Sequence, residues 1–369
     1  MAETAQLRAD LIALQNRGCE RSIDDDAFNA MALRVFAYQY ANNVPYARHC
    51  ERRGCTPGEV SHWHDIPWVP IGAFKALTLS CVPVEQAEAV WMSSGTTRPE
   101  QRSRHYQGSL AVYNASMLPN FAAHLLPDGA RLPFLVLNPR RRDAPNSSLA
   151  HYLNLVLEQY GAPGSDYYFD EQGLQVERLI EALRAAQVAG QPVCLLATSF
   201  AFVHLLDALA DRDLGFELPA GSRVMDTGGF KGQSREMDRE TLYGLFERRF
   251  GVPHSHCVNM YGMTEFSSQF LDNTLREWHA GRSTPLVKVN PPWTRTIVID
   301  PESMQPARPG QRGLLLHYDL ANMNSVLAVL TEDVGIEHEQ GFELLGRAQG
   351  TEARGCSIAI DEVLEAANA

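Results

Sequence analysis

The sequence predicts an α/β protein with mixed sheets and crossover helices, a β-rich last third and a short C-terminal tail. Three observations predict it: helical periodicity opens the chain, short β-rich runs alternate with helical runs from Arg131 onward, and after Trp293 the runs are strands separated by turns. A chain of 369 residues has room for more than one unit of ordinary domain size.

The opening helices cover Ala5 to Gln15 and Asp24 to Asn42. The second is favoured because an aspartate cluster can cap its first turn and complement its dipole. Leu132 to Asn138 then reads as a buried strand, followed by helices over Ala150 to Tyr160 and Leu174 to Ala186. The uncharged stretch Ala185 to Leu206 approaches the length of a membrane span. Gly190, Gln191, Pro192, Thr198, Ser199 and His204 interrupt it, so it divides into a helix end, a buried strand over Val193 to Ala197 and a new helix. Ser222 to Gly229 reads as a strand with its turn, and Ser234 to Phe250 as a strong helix. The last strands fall at Thr294 to Asp300, Gly313 to Asp319, Ser325 to Thr331 and Phe342 to Arg347, with Pro301, Pro306, Pro309, Gly310 and Gly313 between them.

Composition excludes several classes. Hydrophobic residues make up 45% and charged residues 21%, as in folded proteins rather than disordered or coiled-coil chains. Lys and Arg number 32 against 44 Asp and Glu, and the formal charge of -12 repels phosphate backbones and anionic membrane surfaces. No nucleic-acid partner is expected. The seven scattered cysteines suit reduced thiols and a cytoplasmic protein, and the charged N-terminus lacks the apolar run of an export signal, so no membrane insertion is expected.

Three segments carry chemistry. Trp91-Met92-Ser93-Ser94-Gly95-Thr96-Thr97 is a short strand entering a hydroxyl-rich turn, ahead of a helix expected near Gln107. Its glycine turns backbone N–H groups toward a ligand and its hydroxyls add donors to phosphate oxygens, although such turns are commonly only surface loops. Asn259-Met260-Tyr261-Gly262-Met263-Thr264-Glu265 follows a strand near Ser255 to Val258 and suits a nucleotide, with Tyr261 on the base and Glu265 on a hard cation. The plain alternative is a helix start capped by Thr264 or Glu265. Thr331-Glu332-Asp333-Val334-Gly335 places Asp333 at an expected strand end, where a carboxylate can accept from both ribose hydroxyls.

In this order the segments resemble those of the adenylate-forming superfamily of acyl-CoA synthetases, nonribosomal adenylation domains and luciferases. The resemblance makes Ser93, Ser94, Gly95, Thr96 and Thr97 the phosphate loop, Tyr261, Gly262, Thr264 and Glu265 the nucleotide and Mg²⁺ segment, Asp333 the ribose-binding carboxylate and Gly346-Arg347 the hinge. Gly228-Gly229-Phe230-Lys231-Gly232 looks like the segment lying along the adenosine. Members normally continue past the hinge into a mobile domain carrying a catalytic lysine, whereas this chain has 22 residues after Arg347. With Ile66 to Lys75 and the terminal Arg354-Gly355-Cys356, it looks like the acyl-protein synthetase family of bacterial bioluminescence over essentially its whole length.

That resemblance implies activation of a carboxylic, fatty acid by ATP with Mg²⁺, transfer of the acyl group to Cys356, and delivery to an acyl-protein reductase or a carrier protein. It implies a 91–346 adenylate-forming core, a 1–90 helical region packed on it, and a 347–369 hinge-like segment whose tail can swing Cys356 toward a partner. Two departures stand out. Arg98-Pro99-Glu100-Gln101-Arg102 replaces the glycine and lysine that usually follow the phosphate loop, and Lys231 or Lys75 must do the work of the absent lid lysine; Lys231, flanked by Gly229 and Gly232, is favoured. Cys356 also has a plain reading, since Cys356, Ile358 and Ile360 share one face of a period-two run, as a buried structural cysteine would. A ligase that passes the acyl group to coenzyme A or a carrier thiol, and a degenerate adenylate-binding sensor, stay open. So does zinc at Cys50, Cys55, His62 and His64, although Arg52 and Arg53 sit inside that spacing.

Overall fold

Asp24 opens the long N-terminal helix Asp25–Asn42 as its sequence requires, its carboxylate accepting from the Ala27 N–H at 2.7 Å. Asn43 ends that helix and starts the next, Val44–Arg52, accepting from the Tyr46 N–H at 3.3 Å while its amide donates to the Ser325 carbonyl. The computed structural model describes residues 2–93, 102–228, 237–349 and 360–367. The chain forms two units, residues 1–119, 263–270 and 287–369 in the first and residues 120–262 and 271–286 in the second.

In the first unit the helices Ala2–Gln15, Asp25–Asn42 and Val44–Arg52 share one core with an antiparallel sheet. The sheet runs in the order Lys288–Val289, Gly341–Arg347, Ala328–His338, Arg312–Asp319, Thr294–Ile299, and Val69–Pro70 pairs parallel with Ala328–His338. Phe28, Phe36, Tyr46, Trp63 and Trp293 fill the space between helices and sheet. Gln39 braces the two layers: its amide donates to the Asn322 carbonyl at 3.0 Å and its oxygen accepts from the Leu327 N–H at 2.8 Å.

Three details differ from the sequence expectation. Asp333 lies inside an eleven-residue strand, Ala328–His338, rather than at its end. The register shifts between Val334 and Gly335, a bulge that keeps the strand going, and a side chain at Gly335 would collide with the Glu343 carbonyl. Arg104–Gln107 is a strand, paired with Ala89–Met92, and the helix begins at Leu110. Residues 360–367 form a helix whose Val363 is buried in the core of this unit, so these residues are not a free tail.

In the second unit the parallel strands Cys257–Tyr261, Arg223–Thr227, Cys194–Thr198, Phe134–Leu137 and Asp166–Tyr167 lie side by side in that order. Phe134–Leu137 is buried along its whole length, which explains its unbroken apolar run. Helices Ser148–Tyr160, Val176–Ala189, Ser199–Ala210 and Arg239–Phe250 connect the strands, the last capped by Asp238. The uncharged stretch divides as expected into a helix end, a strand and a new helix. No helix among the described residues is long and apolar enough to cross a membrane.

Arg223 is 2% exposed at its side chain and is held by Asp128 at 2.8 Å and by the Leu125 carbonyl at 2.7 Å. Its hydrogen bonds draw the Asp128 carboxyl down to about 2. The folded value lies below the ordinary aspartate value, so the pair stabilises fully above about pH 4 and its contribution fades as pH falls through the folded value. Asp128→Ala is expected to cost about 2 kcal/mol at neutral pH by leaving a buried guanidinium uncompensated, discounted because Asp128 is partly exposed. Urea unfolding of both proteins at pH 7 and near pH 2.5 checks this, and the difference must shrink in acid.

Candidate active site

In the first unit, Ser93 directly follows strand Ala89–Met92 of the hairpin formed with Arg104–Gln107. Ser93 pairs with Ser103, the Ser93 N–H donating to the Ser103 carbonyl and the Ser93 Oγ accepting from the Ser103 N–H, both at 3.1 Å. Ser93 therefore spends an acceptor on this pairing. Ser94, Gly95, Thr96 and Thr97 lie outside the described residues.

The returning strand turns Ser103, His105 and Gln107 to one face, and all three are buried. His105 stacks on Phe74 with ring centroids 6.1 Å apart, and burial holds its ring at about 4, neutral at physiological pH, against a weaker upward pull from the backbone of Glu265. Gln107 donates to Ser267 Oγ at 3.3 Å and accepts from Asn324 Nδ2 at 3.2 Å.

Those contacts lead to Glu265. Thr264 and Glu265 form a turn with no helix after it, which removes the capping alternative. Glu265 is 6% exposed, and its carbonyl accepts from Asn322 Nδ2 at 3.1 Å. Ser267 Oγ donates to Asn322 Oδ1 at 2.9 Å. Asp319 fixes the following residues by accepting from the Ser267 and Ser268 N–H groups at 3.0 and 2.7 Å and from Ser268 Oγ at 2.7 Å. Burial pushes the Asp319 carboxyl up while these donors pull it down. These contacts hold the backbone of the turn that carries Glu265.

Asp333 pairs in register with Arg347 across the antiparallel strands. Arg347 Nε lies 3.7 Å from Asp333 Oδ1 and Nη1 3.9 Å from Glu332 Oε2, both beyond hydrogen-bond length, and the Arg347 side chain is 73% exposed. Gly346, beside it, adopts a φ of +127°, a conformation that suits glycine at a bending point. Lys75 is exposed at the end of the short turn Ile71–Lys75.

In the second unit, Gly228 follows Arg223–Thr227 with φ at +77°, at the carboxyl end of the parallel sheet, where open α/β sheets bind ligands. Tyr261 ends the neighbouring strand largely buried, and Gly262 is exposed. Beneath these ends lies a buried polar network that the sequence reading did not assign. Asp226 accepts from Ser199 Oγ at 2.7 Å, Tyr243 OH at 2.8 Å and Asn259 Nδ2 at 2.9 Å, and Asp272 accepts from the Asn259 N–H and from Arg239. Thr227 Oγ1 donates to the Met260 carbonyl at 2.9 Å. The network ties the ends of two strands together below Gly228 and Tyr261. Asn259, two positions before Tyr261, was its one nearby signal. Gly229 and Lys231 lie outside the described residues, as does Cys356.

The described cysteines divide sharply. Cys50, Cys81, Cys194 and Cys257 are buried, and burial pushes the thiols of Cys50 and Cys194 up to about 12 and those of Cys81 and Cys257 higher still. Such thiols are poor nucleophiles and poor zinc ligands. Among the described residues no group of three or more His, Cys, Asp or Glu is placed to hold a metal.

A unit built on an antiparallel sheet and a parallel α/β unit make up a fold that is also found in solved acid–CoA ligases. The fold matches a 2-hydroxyisobutyryl-CoA ligase crystallised in an open conformation with 2-HIB-AMP and CoA, with a TM-score of 0.62 and 15% identity over 88% of this chain and 69% of that one. The chain belongs to the family described as acyl-protein synthetase, LuxE, which it matches over residues 4–365. It is similar to the long-chain-fatty-acid–luciferin-component ligases of Vibrio harveyi, 24% identical over 90% of this chain and 87% of the relative, and of Aliivibrio fischeri, 22% identical over 91% and 88%. By its family the protein is an enzyme, an acyl-protein synthetase.

Proposed function

We propose that this ligase activates a fatty acid with ATP and Mg²⁺ and carries the acyl group as a thioester on Cys356 before handing it to a protein partner, an acyl-protein reductase or a carrier. The observation that carries the reading is the family match, which runs through the segment containing Cys356 to residue 365, combined with ligase relatives named for long-chain fatty acids. The buried, protonated state of Cys50, Cys81, Cys194 and Cys257 supports it by removing four competing nucleophiles.

In the first half-reaction a carboxylate oxygen attacks the α-phosphorus of ATP and pyrophosphate leaves. Positioning and charge stabilisation supply the catalysis. Ser93, Ser94, Gly95, Thr96 and Thr97 cradle the phosphates, Gly228, Gly229, Tyr261, Gly262 and Thr264 seat the adenosine, and Asp333 accepts from the ribose while Arg347 sits beside it. Glu265 would hold Mg²⁺, which when bound would supply positive charge to the triphosphate, and Lys231 meets the charge that develops on the reacting phosphates. In the second half-reaction the Cys356 thiolate attacks the acyl carbon, forming the thioester as AMP leaves.

Acid-dependent exchange of labelled pyrophosphate into ATP, run over a panel of carboxylic acids, tests the reading. Long-chain fatty acids are expected to support exchange and short acids to support little. No exchange with any acid contradicts it, and acyl-CoA formation without any acyl-enzyme favours a coenzyme A ligase.

The same assay orders the two lysines. Lys231→Ala is expected to slow exchange by roughly 10²-fold, as for removal of a group that stabilises transition-state charge, and Lys75→Ala by much less. The reverse order assigns the role to Lys75.

A further inference from the structure

We infer that the helix over residues 360–367 is a clasp that positions the acyl-acceptor segment for transfer, an inference that rests on the reading of Cys356 as the acceptor. The clasp consists of described residues of the first unit alone. Val363 is 1% exposed inside the core shared by the N-terminal helices and the antiparallel sheet. Ala366 and Ala367 are buried beside it. Arg48, on helix Val44–Arg52, donates to the Ala367 carbonyl at 2.6 Å, and Arg52, one turn on, reaches Glu365 at 3.0 Å. At the other end, Ile360 packs directly against the backbone of Gly72. A Cβ there would lie 3.1 Å from Ile360 Cγ1 and closer still to Cδ1, so the glycine leaves the space that Ile360 fills.

The energetic weight lies with Val363 and Arg48. The Arg52–Glu365 pair is exposed on both sides and contributes little. Burial of Val363 and a charge-assisted hydrogen bond from Arg48 to a carbonyl hold eight residues that are too few to be helical alone.

What the clasp does follows from chain geometry. Cys356 precedes Ile360 by four residues, and four residues of extended chain span about 14 Å at most. On the other side, Arg347 is held in register opposite Asp333, the proposed ribose ligand. The described residues on either side of the acceptor, Arg347 and Ile360, therefore both belong to the unit that carries Glu265 and Asp333. Anchoring shortens the search of the thiol for the acyl carbon, which raises the effective concentration of the nucleophile without any new contact to the substrate. Ile360, Val363 and Arg48 act as positioning residues for acyl transfer, and none is part of the adenylation machinery.

The test separates the two half-reactions. Val363→Asp places a charge in the core and undocks the helix, and truncation after Ala359 removes it outright. Each is compared with wild type for acid-dependent pyrophosphate exchange and for labelled acyl group bound to Cys356, without added coenzyme A. Both variants are expected to keep wild-type exchange and to lose acyl-enzyme formation by at least about tenfold, since small misplacements of a reacting group carry losses of that order or more. Val363→Ile, which keeps an apolar side chain in the core, is expected to retain transfer. Unchanged or faster acylation in both variants overturns the inference, and so does a parallel loss of exchange, which would make the helix a structural support only. Absence of the adduct from wild-type Cys356 instead overturns the reading of the acceptor, and the clasp falls with it.

Discussion

Glu265→Gln and Asp333→Ala are each expected to lower acid-dependent pyrophosphate exchange on the order of 10²-fold while the protein stays folded. Glu265 sits on a turn whose backbone is fixed by Asn322 and Asp319, so glutamine keeps the shape and removes the charge proposed to hold Mg²⁺. Asp333→Ala releases Arg347, whose side chain is 73% exposed and already in a loose ion pair, so water replaces Asp333 as its partner. The loss in exchange should therefore exceed any change in the urea unfolding midpoint. Normal exchange in both variants removes the nucleotide assignment, and a fall in both quantities together makes the residues structural.

Cys356→Ser is expected to form acyl-AMP and release pyrophosphate at the wild-type rate while losing all acyl label that survives denaturation and is cleaved by hydroxylamine. Adenylation needs only carboxylate, ATP and metal. The second half-reaction needs a soft nucleophile held within about 3.5 Å of the acyl carbon, and a serine hydroxyl at neutral pH is a far weaker one. The other thiols offer little substitute, because Cys50, Cys81, Cys194 and Cys257 are buried and protonated. Persistent thioester in Cys356→Ser assigns the acceptor to another cysteine, with the more accessible Cys19 and Cys55 the first to examine.

The parts of the molecule legible in its sequence are those set by local chemistry. The Asp24 cap, the apolar strand Phe134–Leu137 and the break of the long uncharged stretch at Gly190 and Pro192 depend on neighbours a few positions away. The short segments around Ser93, Tyr261 and Asp333 were singled out on neighbouring residues alone, and the roles given to them are those proposed above. Strand Arg104–Gln107 was not, because its inward residues Ser103, His105 and Gln107 are polar and give no hydrophobic alternation. They are polar because they face the Glu265 turn and Asn324 rather than an apolar layer.

Distance along the chain hid the rest. Asp319 and Asn322 hold the backbone at Glu265 to Ser268 from more than fifty positions away, and nothing near Asp319 announces that role. The strand through Asp333 was read too short because Gly335 resembles a strand end, whereas it allows the bulge that continues it. The helix over residues 360–367 was hidden by the period-two spacing of Cys356, Ile358 and Ile360, which suggested an extended run; packing of Val363 against the core overrides it.

One measurement bears most directly on the account as a whole. Wild-type protein is incubated with labelled long-chain fatty acid and Mg-ATP, without coenzyme A or carrier, then denatured, digested and mapped by mass spectrometry. An acyl adduct on Cys356 and on none of the other six cysteines, dependent on ATP and removed by hydroxylamine, is the predicted result. An adduct on a different residue, or acyl-AMP with no acyl-enzyme at all, contradicts it.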